Sequence, residues 1–157
     1  MTRLAGYGLG IDLPERWEGR IYQRSAELQP MALSTQPERN HPVLHLANFA
    51  LPGNRGDFGT GAVERMGSGH AFVALLEFGA DCLGTALYAP QGFPQLQARD
   101  FNPNGLQRRI AGQAGFQHFF TAGGRPLCLY VVLGAHRQAA AMVGQLNQVI
   151  DRIEVSV

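Results

Sequence analysis

Apolar and polar positions alternate along several stretches of the chain, and the alternation predicts strands. Tyr7, Leu9, Ile11 and Leu13 share one face of an opening strand that Pro14 ends. After Glu15-Arg16, the stretch from Trp17 to Arg24 alternates again, and it is predicted to return as the second arm of a hairpin, with Trp17 anchoring that end of the core. Val43 to Leu51 and Ala71 to Phe78 are apolar on both faces, as buried strands are. Phe116 to Thr121 and Leu127 to Leu133 flank Ala122-Gly123-Gly124-Arg125-Pro126, whose paired glycines suit a hairpin turn. The second of these arms, with Leu127, Leu129, Val131 and Leu133 on one face and Cys128, Tyr130 and Val132 on the other, needs a covering layer on each side.

The period then changes. Ala139, Met142, Val143, Leu146, Val149, Ile150 and Ile153 fall on a single stripe, which predicts one long amphipathic helix over His136 to Ile153. Gly144 inside it costs roughly 1 kcal/mol against alanine and is read as a point of close approach to the sheet. Prolines 30, 37 and 42 predict a surface loop over Ser25 to Pro42, and Pro90, Pro94 and Pro103 a second irregular connection closed by Asn104-Gly105. Asp81 to Tyr88 is either a sheet extension or a short helix, and a turn or two of helix is expected around Val63. The chain reads as one α+β domain over residues 1–157. A mostly antiparallel central sheet carries a long C-terminal helix on one face and loops or short helices on the other.

Composition narrows the function classes. At 157 residues and 45% hydrophobic, the chain can close a core without metal or disulfide staples. Thirteen basic residues, all arginine, against twelve acidic ones leave a formal charge of +1, so no field draws it to nucleic acid or an anionic membrane. No run approaches the ~20 apolar residues of a membrane-spanning helix. Glycines and Asp12 interrupt any signal-like core in Met1 to Leu13, which predicts a cytoplasmic address.

The first strand, Gly8-Leu9-Gly10-Ile11-Asp12-Leu13-Pro14 followed by Trp17, and the closing hairpin, helix and short strand resemble the PsbP-like fold superfamily. The resemblance covers Gly6 to Arg24 and Phe116 to Val157, and the proline-broken middle departs from the family pattern. It implies an α/β/α sandwich acting as an accessory or partner-binding protein rather than an enzyme. No functional residue carries over from it.

Candidate chemistry is sparse. His41 and His45 on a strand would sit ~13 Å apart, too far to share an ion, so no metal is expected, nor any cofactor. Cys82 and Cys128 form no CxxC pair and read as buried thiols; Cys82 would be a nucleophile only with His45, His70 or His118 in reach. Gly53 to Gly61 lacks the lysine and spacing of a phosphate loop. Its Arg55-Gly56-Asp57 tripeptide, read as a tight turn whose charges pair or face solvent, with Phe58 as an apolar anchor, is the first choice for a partner-binding loop. Arg108 and Arg109, with Arg99 upstream, form the densest positive group and complete the partner-binding candidates. His118, sharing a face with Phe116 and Phe120, reads as a core or interface histidine. The expected function is a non-enzymatic binding or assembly module for a protein partner, a second copy of the chain included. The alternative is a small enzyme or small-molecule binder with a pocket between sheet and loops.

Overall fold

The computed structural model describes residues 2–24 and 41–156, so most of the loop expected over Ser25 to Pro42 lies outside the described residues. Among the described residues, eight strands form two antiparallel sheets. A three-stranded sheet has the order β1 (Thr2–Gly6), β2 (Leu9–Leu13), β8 (Glu154–Val155). A five-stranded sheet has the order β3-β4-β5-β7-β6, from β3 (Glu18–Gln23), β4 (Pro42–Ala47), β5 (Ala71–Glu77), β6 (Ala114–Ala122) and β7 (Arg125–Leu133). One α-helix, α1 (Ala139–Ile150), follows β7. This is an α+β architecture.

The N-terminal hairpin differs from the expected one. Tyr7 and Gly8, at φ 52° and 82°, make a two-residue turn that pairs β1 with β2 in register from Thr2↔Leu13 to Gly6↔Leu9. Two positive φ values match the twist of a tight hairpin, and the glycine supplies one of them without strain. The stretch Trp17 to Arg24 therefore does not return against β2. It leaves through Arg16, at φ 71°, to become β3 of the other sheet, paired with β4. The hairpin between β6 and β7 turns at Gly123 and Gly124, both at positive φ, as their pairing predicts.

The expected cover for β7 is present on both faces. Leu127, Leu129, Val131 and Leu133 pack with Leu44, Leu46, Val73 and Leu75 beneath α1, β2 and Trp17. On the opposite face Val43, Phe72, Ala74, Leu76 and Val132 are 0–1% exposed under Leu51, Phe58, Ala62, Val63, Met66 and Leu106. These covering residues belong to the connection between β4 and β5, from Leu51 to Met66, and to the segment after Asn102, so the chain's own connections dry that face. No second subunit is required to bury it.

The helix is shorter than its apolar stripe. His136–Gln138 forms a 3₁₀ turn before α1, and Ile153 lies beyond its end, still buried at 7% exposure. Leu146, Val149 and Ile150 are almost fully buried, each contributing roughly 1.5–3 kcal/mol of hydrophobic stabilisation. Asn147 fixes the long proline-rich connection: its Oδ1 accepts from Leu96 N at 2.8 Å and its Nδ2 donates to Leu96 O at 3.0 Å. Asp81 to Tyr88 forms two 3₁₀ turns, Ala80–Cys82 and Ala86–Tyr88, rather than a strand.

Gly144 does not approach the sheet. A Cβ added there meets nothing within 4 Å, and the residue lies on the exposed side of α1. With no contact to lose, Gly144→Ala is expected to raise the unfolding free energy by about 0.5–1 kcal/mol, read as a higher urea midpoint at unchanged slope. No described helix is long and apolar enough to cross a membrane.

Candidate functional site

Loop 52–62 is shaped by backbone bonds that close it on itself. Gly56 N donates to Thr60 O at 2.9 Å, Gly59 N to Gly56 O at 2.9 Å, and Ala62 N to Gly59 O at 2.8 Å. Gly59 sits at φ 89°, and a Cβ there would come within 2.6 Å of the Phe72 ring. Only glycine combines that backbone with so close an approach to the sheet. The loop is thereby pressed against β4 and β5.

Beneath it lies His45, wholly buried in the middle of β4. Arg55 Nε donates to His45 Nδ1 at 2.9 Å, and His45 Nε2 lies 2.8 Å from Asp57 O. Arginine can only donate, so Nδ1 must accept, and the single ring proton sits on Nε2, donating to the carbonyl. Burial above all, reinforced by the neighbouring Arg55 charge, pulls the imidazole down to about 4. His45 is neutral near pH 7 with both nitrogens engaged. Its ring meets Tyr22 and Phe72 edge-on, at 5.3 and 5.0 Å.

Tyr22 closes the network from β3. Its hydroxyl donates to Asp57 Oδ1 at 2.6 Å, and burial followed by that carboxylate raises its pKa. Arg55 and Asp57 therefore neither pair with one another nor simply face solvent. Each binds a different side chain of the sheet, and together they clamp the loop. Phe58 is not an exposed anchor: it is half-buried and packs edge-on against Tyr130 at 5.3 Å.

The second predicted group joins the same face. Arg108 Nη2 pairs with Glu64 Oε2 at 2.6 Å, and Glu64 in turn accepts from Gly61 N at 2.7 Å at the far end of the loop. Arg109 is exposed beside it. Phe58, Glu64, Arg108 and Tyr130 also border the cavity between sheet and loops, which encloses about 20 Å³. Pockets for small organic ligands run to several hundred Å³, so this space fits none. A larger open groove of about 340 Å³ lies on the β3 side, lined by Arg20, Ile21, Tyr22, Gly53 and Arg55.

The predicted nucleophiles are placed unfavourably. Cys128 is fully buried in β7 and burial pushes its thiol up to about 11. Cys82 is only partly buried, contrary to the expectation, and lies beside the Tyr88 phenol. The histidines it would need are engaged elsewhere. His45 is clamped, His70 Nδ1 accepts from Gly67 N at 2.8 Å, and His118 stacks between Phe116 and Phe120 at 6.1 and 5.7 Å. No group of three or more metal-ligating side chains occurs among the described residues.

No protein-family model, curated protein or solved structure matches the chain. The functional reading therefore rests on residue geometry.

Sequence reasoning missed one cluster outright. Glu77 at the end of β5 is 9% exposed, and Arg125 at the start of β7 donates to its Oε1 from both Nε, at 2.8 Å, and Nη2. Arg24 donates to the Glu77 carbonyl and lies 4.7 Å from the Phe78 ring centre, and His41 Nδ1 approaches Glu77 Oε2 at 3.5 Å. A carboxylate at the end of an otherwise apolar strand was the available signal.

Proposed function

We propose that the chain is a non-enzymatic partner-binding module, of the accessory kind that the PsbP-like resemblance implies, and that a protein partner docks where loop 52–58 meets β3. The observation that carries this reading is the clamped His45. The best candidate for a general base spends both ring nitrogens holding the loop and has none to offer a substrate. A buried network that fixes a surface loop, with no proton left to move, suits recognition better than catalysis. The PsbP-like sandwich belongs to the same proposal. What supports it is that the five-stranded sheet is covered by one helix and a small sheet on one face and by loops and 3₁₀ turns on the other.

Partner binding is tested by size fractionation of a source-cell lysate, followed by cross-linking on the tagged chain. The chain is expected to migrate in a complex of fixed stoichiometry with cross-links centred on loop 52–58 and β3. Recovery of the chain alone would overturn the reading. So would alkylation of Cys82 at neutral pH far faster than a free thiol, which would mark an activated nucleophile. Light scattering of the purified chain distinguishes a second copy from a different protein.

A further inference from the structure

The β3–β4 register determines which backbone groups of β3 point away from the sheet. Arg24 N donates to His41 O at 3.1 Å, continuing the pairing Gln23↔Pro42, Tyr22↔Val43 and Ile21↔Leu44. In an antiparallel ladder these groups alternate, so Glu18, Arg20 and Tyr22 face β4 while Gly19, Ile21 and Gln23 direct N–H and C=O outward. Gly19 O accepts from Arg20 Nη1 at 2.8 Å. The outward groups of Ile21 and Gln23 have no backbone partner among the described residues.

The neighbouring sheet does not fill this edge. Strand β1 lies against the helix-side face of β3, where a Cβ at Gly19 would meet Leu4 Cδ2 at 2.8 Å and Leu13 Cδ2 at 3.1 Å. Among the described residues no hydrogen-bonded ladder joins the two sheets. The open groove beside loop 52–58 is lined by Ile21 from one face of β3 and by Arg20 and Tyr22 from the other, so it runs along the edge itself.

Charge says what the edge accepts. Arg20 has a side chain 55% exposed, and its nearest carboxylate, Glu18, is 3.8 Å away. Arg55 spends Nε on His45 and Nη1 on Pro52 O, which leaves Nη2 without a partner among the described residues. Two guanidiniums thus border the groove on one face, and Ile21 offers apolar surface on the other. Two-fold pairing of β3 with a second copy about Ile21 would set Arg20 opposite Tyr22, and so would bring no carboxylate opposite Arg20.

Resting on the binding-module reading, we propose that β3 accepts an extended segment of a partner protein as an added sixth strand, with acidic side chains alternating with apolar ones. Main-chain bonds to Ile21 and Gln23 supply affinity. Carboxylates set against Arg20 and Arg55 supply specificity and register.

The test uses two labelled octapeptides, alternating valine–glutamate and valine–lysine, titrated into the full chain by fluorescence anisotropy with amide NMR shifts followed in parallel. The glutamate peptide is expected to bind at least about tenfold more tightly than the lysine peptide, with the preference reversed by Arg20→Glu. The largest shifts should fall at Ile21 and Gln23. Gln23→Pro removes one outward N–H at an edge position that tolerates proline, and should weaken binding. N-methylation of alternate peptide residues makes the same test without altering the protein. Equal binding of both peptides, shifts centred away from β3, or no binding up to about 1 mM would overturn strand addition. So would a peptide-independent dimer joined through β3. If the peptides fail while the cellular complex persists, strand addition falls and the binding-module reading stands; if the complex is absent as well, both fall.

Discussion

Arg125→Ala is expected to lower the unfolding free energy by about 3–5 kcal/mol, read by urea unfolding near pH 7. Arg125 pairs with Glu77 where both side chains are only 15% and 11% exposed. Truncation strands a carboxylate whose desolvation cost has already been met by its partner. The loss extends further, because Arg125 Nη2 donates to Tyr7 O at 2.8 Å and Nη1 to Ser156 O at 3.3 Å. Those acceptors lie in the β1–β2 turn and just after β8, so one side chain ties the three-stranded sheet to the five-stranded one. Hydrogen exchange should show β1, β2 and β8 losing protection before β4, β5 and β7. His41 and Arg24 cannot replace it. Burial, the dominant influence, lowers the His41 pKa despite the adjacent carboxylate, and Arg24 binds the Glu77 backbone rather than its side chain. The double variant Glu77→Met/Arg125→Met should recover much of the loss, since replacing both charges leaves neither uncompensated. Failure to recover would shift the weight to the Tyr7 and Ser156 contacts.

Stability should also fall on mild acidification, with His45 as the largest single contributor. Its folded-state pKa of about 4 lies below the unfolded value of 6.5, so the unfolded chain takes up the proton first. The contribution is therefore complete above about pH 7 and is lost as pH falls through 6.5 toward 4, by about 3 kcal/mol in all. His41 and His118, whose pKa values burial also lowers, act in the same direction. The comparison with His45→Gln isolates the buried ring. That variant should be less stable at neutral pH, yet lose less between pH 6.5 and 4. Parallel pH profiles would show that His45 is not the linked group. Because protonation of Nδ1 breaks the bond from Arg55, loop 52–58 should loosen in the same pH range, visible as faster exchange of the Gly56 and Gly59 amides.

The candidate site was legible only in its components. Arg55, Asp57 and Phe58 stood out as a charged, glycine-flanked loop, and Arg108 and Arg109 as a positive pair. Nothing in the linear order tells that Glu64 joins the two groups, or that His45, Tyr22 and Phe72 lie beneath the loop, since those contacts come from three different strands. His45 lies in the stretch from Val43 to Leu51 whose two faces both read as mostly apolar. Its partners depended on where a loop some ten residues later folded back. The outward groups of Ile21 and Gln23 are less visible still, because a strand's open edge depends on which neighbour it pairs with, and the alternation of Trp17 to Arg24 predicts pairing with β2 where the strand pairs with β4 instead.

What the sequence by itself determined is local. Short runs apolar on both faces placed β4, β5 and β7, period 3.6 placed the helical stripe, and Gly123-Gly124 set the last hairpin that pairs β6 with β7, because each depends on side chains a few residues apart. Tertiary structure decided the rest. It turned the chain at Tyr7-Gly8 so that β2 and β3 part into separate sheets, it ended α1 at Ile150 while keeping Ile153 buried, and it laid the loops over the second face of β7. The sequence demanded cover for both faces of that strand. Which segments provide it is a matter of long-range packing, where an apolar loop, a helix and a second subunit satisfy the hydrophobic demand equally well.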